Sequence, residues 1–422
     1  MKPQNFEEKI VWYYITGTYV LYILGAQRDG APAIALILAG YLCKKLWYQT
    51  DATPESEKIT IPLPVWSWIF GMLVIEYALI IGHLDWELGT GKIIVSTIAW
   101  VRKWALLALF PLAGCLNIRP ELVFRASCIL CFQSLIIIPI SYLASIVHFG
   151  ANLYVSPLRL IGGGAPLFYS VSLYGLDGDG DTRISLFTPW APALGFTANL
   201  YLQLAFQEAD KKWRWLGVIG ASAMIFVSVS RLARICIFIV PILNLWLSNL
   251  TLPNTYFITG SICTFGGIFG NQIMTIAKDY IAAVKGQRAS STEIRRLLKE
   301  IAFYRWKSEA YMWGHGFMES KGPRIVEFMP IGSHHTWGGV LYMHGLVGGI
   351  GLAIPVIVSC IDLFFKAQKS QAGMAGLGVM LVVLTFSTAE NLDALAYLLW
   401  PGFLMMGIAF KENQVTRKVY ET

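Results

Sequence analysis

The sequence predicts an all-α fold, specifically a polytopic bundle of transmembrane helices. Of the 422 residues, 55% are hydrophobic and only 14% are charged, whereas soluble domains carry about 25% charged residues. Apolar runs recur from Ile10 to Phe410. A single soluble core could not bury so much apolar surface, but a bilayer can, because it is itself an apolar solvent. Residues 1–422 are therefore predicted to form one integral membrane domain.

About twelve apolar segments have roughly the 20 residues that a helix needs to cross a bilayer. They lie near 10–27, 31–48, 63–83, 93–115, 124–147, 190–207, 213–230, 232–249, 255–276, 337–364, 371–388 and 392–411. The first segment lacks a small-residue cleavage site, so it is predicted to remain as a membrane helix. No pair of cysteines flanks a loop, so a disulfide framework is not expected.

Basic residues set the predicted orientation, because Lys and Arg are enriched in cytoplasmic loops. With an even number of spans, the basic loops fall on one side together with both termini. Their basic residues are Lys44, Lys45, Arg119, Arg125, Lys211, Lys212, Arg214, Lys366, Lys369, Arg417 and Lys418. This bias accounts for the formal charge of +7. No stretch interleaves basic residues with exposed aromatic residues, so no nucleic acid partner is expected.

Two long connections then lie on the opposite, periplasmic face, over about 148–189 and 277–336. Connections of this length are uncommon unless they are functional. The second connection is net basic, although basic residues are depleted outside, and this suggests an anionic substrate. It is predicted to carry the site residues.

Residues 290–313 are predicted to form an amphipathic helix within the second connection. Ser290 followed by Glu293 is a capping-box pattern, and apolar residues recur at helical spacing after it. Arg305 falls on the same apolar stripe, where a guanidinium needs an anionic partner. The other basic residues near its start are expected to be solvated: Arg295, Arg296 and Lys299.

Charged residues near the middle of the fourth segment allow two interpretations. Arg102 and Lys103 would be costly inside a bilayer unless they faced a bundle interior or an aqueous cavity. Alternatively, residues 93–102 form an interfacial helix and the span begins later. The sequence does not separate these two interpretations.

All six histidines fall in outer loops or at the outer ends of spans: His83, His148, His315, His334, His335 and His344. His334 and His335 directly precede a predicted span. The positive end of a helix disfavours imidazolium, so a histidine there would be neutral at pH 7, as a general base requires. Two alternatives stay open. The pair could simply cap the helix, or it could bind metal with other histidines, although no HExxH or comparable ligand spacing is present.

Two further motifs have competing interpretations. Arg231 and Arg234 share a helical face at an outer boundary, where arginine side chains either reach the membrane surface or bind phosphate through their forked geometry. Asp177-Gly-Asp-Gly-Asp181 resembles the start of a calcium loop but lacks the glycine and the distal glutamate of that motif. A flexible acidic turn is the preferred interpretation of the second motif.

The histidine pair resembles a signature of the O-antigen ligase and polymerase superfamily. His334-His335, a spacer of nine residues and Gly345-Leu-Val-Gly348 are similar to that family's His-Asn, nine-residue spacer and Gly-x-x-Gly. His335 stands where the family has asparagine. The spacing to the two glycines favours His334 as the residue equivalent to the family's histidine.

Three other segments contribute to the resemblance, which covers roughly 180–365. Ser230-Arg231 resembles the family's Ser-Arg at a helix start, with Ile235 in place of the usual leucine. Gly314-His-Gly316 is similar to its Gly-x-Gly before the histidine, and Arg183-Ile-Ser-Leu-Phe-Thr-Pro189 is similar to its earlier arginine segment.

The resemblance implies a metal-independent, inverting glycosyltransferase in the bacterial inner membrane, with its active site facing the periplasm and without a cofactor. Its donor would be a glycan on polyprenyl (undecaprenyl) diphosphate, and its acceptor a hydroxyl of a glycan or of lipid A core. The expected general base is His334. The expected diphosphate-binding residues are Arg231, Arg305, Arg183 and Arg324. The expected supporting residues are His335, His315, Arg234, Gly345 and Gly348.

Two other function classes stay open. A carrier or flippase for anionic lipid-linked sugars would explain the basic outer connection and the charges of Arg102 and Lys103, and it predicts movement without a covalent product. The hypothesis of a structural assembly subunit predicts that the protein catalyses no reaction and that substitutions at His334 and Arg231 are tolerated. The resemblance does not separate a ligase from a polymerase.

Overall fold

The computed structural model describes residues 1–54, 58–176, 182–286 and 289–412. It is mostly helical. The helices are α1 Phe6–Thr16, α2 Thr18–Leu24, α3 Gln27–Tyr48, α4 Leu63–Asp85, α5 Thr90–Val101, α6 Leu106–Gly114, α7 Pro120–Ile146, α8 Arg159–Gly162, α9 Ala191–Phe206, α10 Lys211–Val227, α11 Arg231–Ser248, α12 Pro253–Gly286, α13 Ala289–Glu309, α14 Thr336–Ala367, α15 Gln371–Phe386 and α16 Leu392–Lys411. Short 3-10 turns occupy Pro166–Phe168 and Arg324–Val326.

The connection after α7 contains short strands in addition to the predicted helices. It contains the strands β1 Asn152–Val155, β2 Ser170–Ser172, β3 Gly175–Leu176 and β4 Thr182–Arg183. β1 pairs with β2 and β3 pairs with β4, each antiparallel. The acidic motif of residues 177–181, considered above as a calcium loop, lies outside the described residues.

In the part of the chain that the structure describes, six helical segments are long and apolar enough to cross a membrane, which indicates a membrane protein. They are Leu63–Asp85, Thr90–Gly114, Pro120–Ile146, Arg231–Ser248, Thr336–Ala367 and Leu392–Lys411. Several of them expose apolar stripes. On α11, for example, Ile235, Phe238, Ile239 and Ile242 are all exposed at helical spacing, as expected for a surface that faces lipid.

The first and fourth predicted segments are each two helices. Gly17 ends α1 and precedes α2. The fourth segment breaks after Val101, so Arg102 and Lys103 lie in the turn between α5 and α6. None of the residues of α5 is buried. Arg102 and Lys103 therefore lie at a break within the segment Thr90–Gly114 and not inside a continuous helix.

The ends of the helices form two polar zones. We call the first the basic end, because Arg119 binds Glu8 at 2.7 Å there and Arg125 binds Glu208 at 2.8 Å. We call the second the histidine end, because His315, His334 and His335 lie there, beside the ends of α4, α13 and α15 and the starts of α14 and α16.

The centre of the bundle consists of α9 and α16, which are buried along almost their whole length. A helix that is apolar on every side is readily accommodated in such a position. Small residues bring neighbouring helices into backbone contact: a Cβ at Gly407 of α16 would overlap the carbonyl oxygen of Pro111 on α6. One at Gly71 of α4 would overlap that of Gly351 on α14. Close approach of this kind is typical of helices packed in membranes.

Candidate functional site

The loop before α14 is fixed by hydrogen bonds to the connection between α15 and α16. Thr336 donates its hydroxyl to the carbonyl oxygen of Glu390 at 2.6 Å, and its N–H donates to Ser387 at 2.9 Å. Asn391 donates to the carbonyl oxygen of Gly332 at 3.2 Å. The backbone around His334 is therefore held from both sides, which gives its side chain a defined direction.

His335 caps α14. Its Nδ1 accepts the N–H of Gly338 at 2.9 Å, and its own N–H donates to Oδ1 of Asn391 at 3.1 Å. The backbone of His335 is extended, as at a typical N-cap. Burial, together with the charge of Lys299, lowers the pKa of His335, which keeps the cap able to accept. Asparagine is among the preferred residues for this position, so the histidine performs a role that asparagine also fulfils.

His334 has a different environment from its neighbour. It adopts φ 64°, in the left-handed region that non-glycine residues seldom occupy, and such strain is concentrated at functional sites. Within the described residues, its imidazole makes no hydrogen bond. Burial, and secondarily the positive charge of Arg295, lowers the pKa of His334 to about 4. The imidazole is therefore neutral at pH 7.

The positive charge of Arg295 on α13 acts on His334, and its side chain, which is expected to be solvated, is partly exposed and partly held by the connection after α15. Its guanidinium donates to the carbonyl oxygen of Ala389 at 3.4 Å and lies 3.9 Å from Oε1 of Glu390. Trp190 donates to the other carboxylate oxygen of Glu390 at 3.1 Å. Burial raises the pKa of Glu390, although Arg295 and Trp190 offset part of this effect. Because its contacts are long and its side chain is 39% exposed, Arg295 can still bind an anion.

Arg305 has the anionic partners that a guanidinium on an apolar stripe requires, and they are carboxylates of the chain itself. It binds Glu309 at 2.8 Å and Glu319 at 2.9 Å, and it lies 5.4 Å from the ring centroid of Tyr342. Arg305 follows Arg295 by ten residues, or about 15 Å along the helix. Arg305 therefore uses two of its five N–H donors on carboxylates of the chain, whereas Arg295 is the arginine whose charge acts on His334. Arg296 pairs with glutamates on the exposed face of α13.

α14 is interrupted at Gly345, where φ is 63° and ψ is −164°. The segment 311–316 pairs with the opened backbone. Leu346 and Val347 donate to the carbonyl oxygens of Tyr311 and Met312 at 2.9 and 3.2 Å. In return, His315 and Gly316 donate to Tyr342 and Met343, each at 2.9 Å. Non-helical backbone at membrane depth requires such internal partners.

The glycines of the sequence motifs make this pairing possible. A Cβ at Gly345 would overlap the carbonyl oxygen of Met312, and one at Gly314 would overlap the backbone of Met343. Gly316 and Gly314 also have positive φ. Gly348 leaves room for the side chain of His344. These glycines therefore have identified packing roles.

The other predicted arginines lie in three places. Arg231 begins α11, whose start contacts α9: Asn199 donates to the carbonyl oxygen of Ala233 at 3.2 Å. Arg234 is exposed and donates to the carbonyl oxygen of Phe226 at 3.1 Å. Arg183 is half-buried in β4, and Arg324 is exposed in its 3-10 turn. The structure thus gathers His334, His335 and Arg295, with Arg305 and His315 in an adjacent group.

A separate group of ionisable residues lies between α6, α14 and α16. Lys103 lies 3.3 Å from Asp393, which is 7% exposed. His344 is completely buried, and neither ring nitrogen has a hydrogen-bond partner in the described part of the chain. Arg102 lies 3.7 Å from Asp29. Within the described residues, no group of three or more His, Cys, Asp or Glu side chains could hold a metal ion.

Comparison with known proteins gives no family for this chain. No protein-family model matches its sequence, and no curated protein matches it.

Proposed function

We propose that this chain is a membrane glycosyltransferase of the O-antigen ligase and polymerase type, working at the histidine end. In this proposal about twelve spans cross the bacterial inner membrane. The six long helices account for half of them, and the shorter or broken segments α1–α2, α3, α9, α10, α12 and α15 account for the rest. The basic end and both termini are cytoplasmic, since basic residues favour that side. The connections near 148–189 and 277–336 are periplasmic.

The observation on which the proposal depends is that the two adjacent histidines have different environments. His335 is committed to capping α14, while His334 is neutral, free of hydrogen bonds within the described residues and next to Arg295. In the proposed reaction, an acceptor hydroxyl oxygen attacks the anomeric carbon of the donor glycan. The bond from that carbon to the diphosphate oxygen breaks, its electron pair leaves with polyprenyl diphosphate, and His334 takes the hydroxyl proton. General-base assistance of this kind contributes roughly 10²–10⁴-fold.

The low pKa of His334 fits a base that becomes effective when the donor binds. In the free protein, a base with a pKa of about 4 accepts protons weakly at neutral pH. An anionic diphosphate beside Arg295 would offset the charge that depresses this pKa and would favour imidazolium. Donor binding would thus raise the basicity of His334 at the site where the proton is released.

The diphosphate requires fixed positive charge, which stabilises the leaving group as it develops. Arg231, Arg183 and Arg324 are proposed ligands of the diphosphate, together with Arg305, whose guanidinium has five N–H donors and holds Glu309 and Glu319 with two of them. The acceptor stays open, so a ligase and a polymerase are both consistent with the proposal.

The test is transfer from a polyprenyl-diphosphate-linked glycan by purified protein in nanodiscs, with EDTA present. Glycan and lipid A core acceptors are supplied in separate reactions, and product is detected by mass. The proposal predicts product with at least one acceptor despite EDTA. The absence of product with every acceptor, from protein with an intact thermal transition, would refute it.

The runner-up is a carrier or flippase for anionic lipid-linked sugars. It is favoured by the Lys103–Asp393 pair and by the unpartnered, completely buried His344, because ionisable groups at membrane depth are typical of transport pathways. This hypothesis predicts that labelled lipid crosses the bilayer of a proteoliposome without a covalent product. It also predicts that Asp393→Asn abolishes this movement while His334→Ala does not.

A further inference from the structure

Arg28, near the start of α3, has a guanidinium that is held in place without a carboxylate. Its Nη1 donates to the carbonyl oxygen of Gly163 at 3.0 Å. The guanidinium lies 4.7 Å from the ring centroid of Phe168 and 5.6 Å from that of Tyr169, and aromatic faces attract cations. Among the described residues Arg28 forms no ion pair. Because a guanidinium has five N–H donors, most of them remain for a ligand.

The carboxylate next to Arg28 in the sequence has other partners. Tyr169 donates its hydroxyl to Oδ2 of Asp29 at 2.8 Å, and Arg102 lies 3.7 Å from Oδ1. Arg159, at the start of α8, is exposed and forms no ion pair in the same described part of the chain. This group therefore contains three arginines and one carboxylate and has a net positive charge. We call it the arginine patch: Arg28, Asp29, Arg102, Arg159 and Gly162-Gly163-Gly164.

The arginine patch lies at the histidine end of the bundle. The other end of α3 carries Lys45, which binds Glu7 at 2.7 Å at the basic end, so the start of α3 lies opposite. Phe168 contacts Trp190 at 5.9 Å between ring centroids, and Trp190 donates to Glu390. These contacts connect the patch to the loop that precedes α16, at the same end as the histidine pair.

Two apolar side chains next to the arginine patch are almost fully exposed. Leu160 is 90% exposed and Ile161 is 83% exposed, and both belong to α8. Leu24 is 57% exposed, and its carbonyl oxygen accepts the hydroxyl of Ser156 at 2.8 Å, which joins α2 to this segment. The segment follows α7, one of the helices that are long and apolar enough to cross a membrane. Exposed apolar residues beside cations at this level are typical of a segment that lies in the bilayer interface.

An anionic phospholipid combines the chemistry that both parts of this surface require. Its phosphate accepts two N–H bonds from one guanidinium, for which arginine has the matching geometry. Its acyl chains lie directly below the headgroup and can contact Leu160 and Ile161. Because the arginine patch is net positive, it should prefer an anionic headgroup to a zwitterionic one, whose ammonium group it repels.

We infer that Arg28 binds the phosphate of an anionic phospholipid in the leaflet at the histidine end, with Leu160 and Ile161 against the acyl chains. Gly164 takes part because a Cβ there would overlap the guanidinium of Arg28. The bound lipid would fix the connection between α7 and α9 to the membrane surface. This inference does not depend on the proposed function, since the ligand is a lipid of the bilayer and not the glycan donor.

The test is photolabelling of the full-length protein in phosphatidylcholine nanodiscs. The discs contain a trace of phosphatidylglycerol with a photoreactive group in its headgroup, and labelled peptides are identified by mass spectrometry. We expect label within residues 156–169, and excess phosphatidylglycerol should remove it, whereas inorganic phosphate in the buffer should not. Absence of label from this segment would overturn the inference. Label that polyprenyl diphosphate removes but phosphatidylglycerol does not would overturn it as well.

Arg28→Gln tests the proposed phosphate ligand. The variant loses the charge and the forked donor geometry, so label within residues 156–169 should fall by about tenfold or more, as expected for a hydrogen bond to a charged group. Label within residues 208–216 at the basic end is the internal control and should not change. Undiminished label within residues 156–169 in this variant would overturn the inference.

Two adjacent glycines provide a matched pair of variants that leave Arg28 itself intact. Both have positive φ, 65° at Gly163 and 90° at Gly164, so alanine strains the backbone at either position. A Cβ at Gly164 would displace the guanidinium of Arg28, whereas one at Gly163 would have no atom within 4 Å. Gly164→Ala should therefore lose label as Arg28→Gln does, and Gly163→Ala should keep it. Equal label in the two glycine variants would contradict the role of Arg28.

Discussion

The break in α14 depends on a glycine, and Gly345→Ala tests this directly. Its φ of 63° and ψ of −164° lie in a region that is essentially restricted to glycine, where another residue costs about 1–3 kcal/mol. The new Cβ would also overlap the carbonyl oxygen of Met312, which would separate the two backbones. Loss of the hydrogen bonds from Leu346 and Val347 adds about 0.5–1.5 kcal/mol each. We expect a total destabilisation of about 2–6 kcal/mol.

The control lies four residues further along the same helix. A Cβ at Gly349 would meet only the end of the Leu341 side chain, at 2.8 Å, and this side chain can move. Gly349→Ala should therefore change stability by less than about 1 kcal/mol. Thermal unfolding of both variants in detergent is compared with the wild type. Equal midpoints for the two variants would show that backbone pairing at Gly345 does not stabilise the protein.

Three further outcomes are expected. Arg295→Ala removes a positive charge that lowers the pKa of His334, so this pKa should rise and the acidic limb of the kcat/KM profile should move to higher pH. An unchanged acidic limb would show that the charge of Arg295 does not act on His334. Glu208→Ala leaves Arg125, whose side chain is 14% exposed, without its main partner and should destabilise the protein by about 3 kcal/mol. Transfer at low temperature should be unchanged, because this pair is at the basic end. Asn391→Ala removes two hydrogen bonds of the His334 loop and should lower kcat by about tenfold or more; full activity would show that the loop is held by other contacts.

The sequence was sufficient to predict a membrane helical bundle, because hydrophobic length and basic clustering reflect constraints that the bilayer imposes on every segment. The sequence also predicted the bounds of α13 to within a few residues, because the periodicity of an amphipathic helix is a local pattern. It missed the strands after α7, which are too short to show a periodicity of two. It left the turn at Arg102 undecided because the break follows from contacts with Asp29 and Asp393, which are distant in sequence.

The site was predicted less completely, because its contacts join distant residues. Arg295 is placed by Glu390, which is 95 positions further along the chain, so no local pattern could indicate its role. For Arg305 a local signal was available: Glu309 follows it by four residues, and such pairs interact on a helix. Adjacent histidines look equivalent in sequence, whereas the backbone of His335 is extended for capping and that of His334 is left-handed.

The most direct test of the account compares His334→Ala with His335→Asn in the transfer assay, at equal amounts of folded protein. Asparagine can cap α14 in place of His335, so this variant should keep transfer within a few-fold of the wild type. His334→Ala should lose roughly 10²–10⁴-fold, as expected for the removal of a general base. Full transfer by His334→Ala, or its loss in His335→Asn alone, would contradict the assignment of His334 as the base.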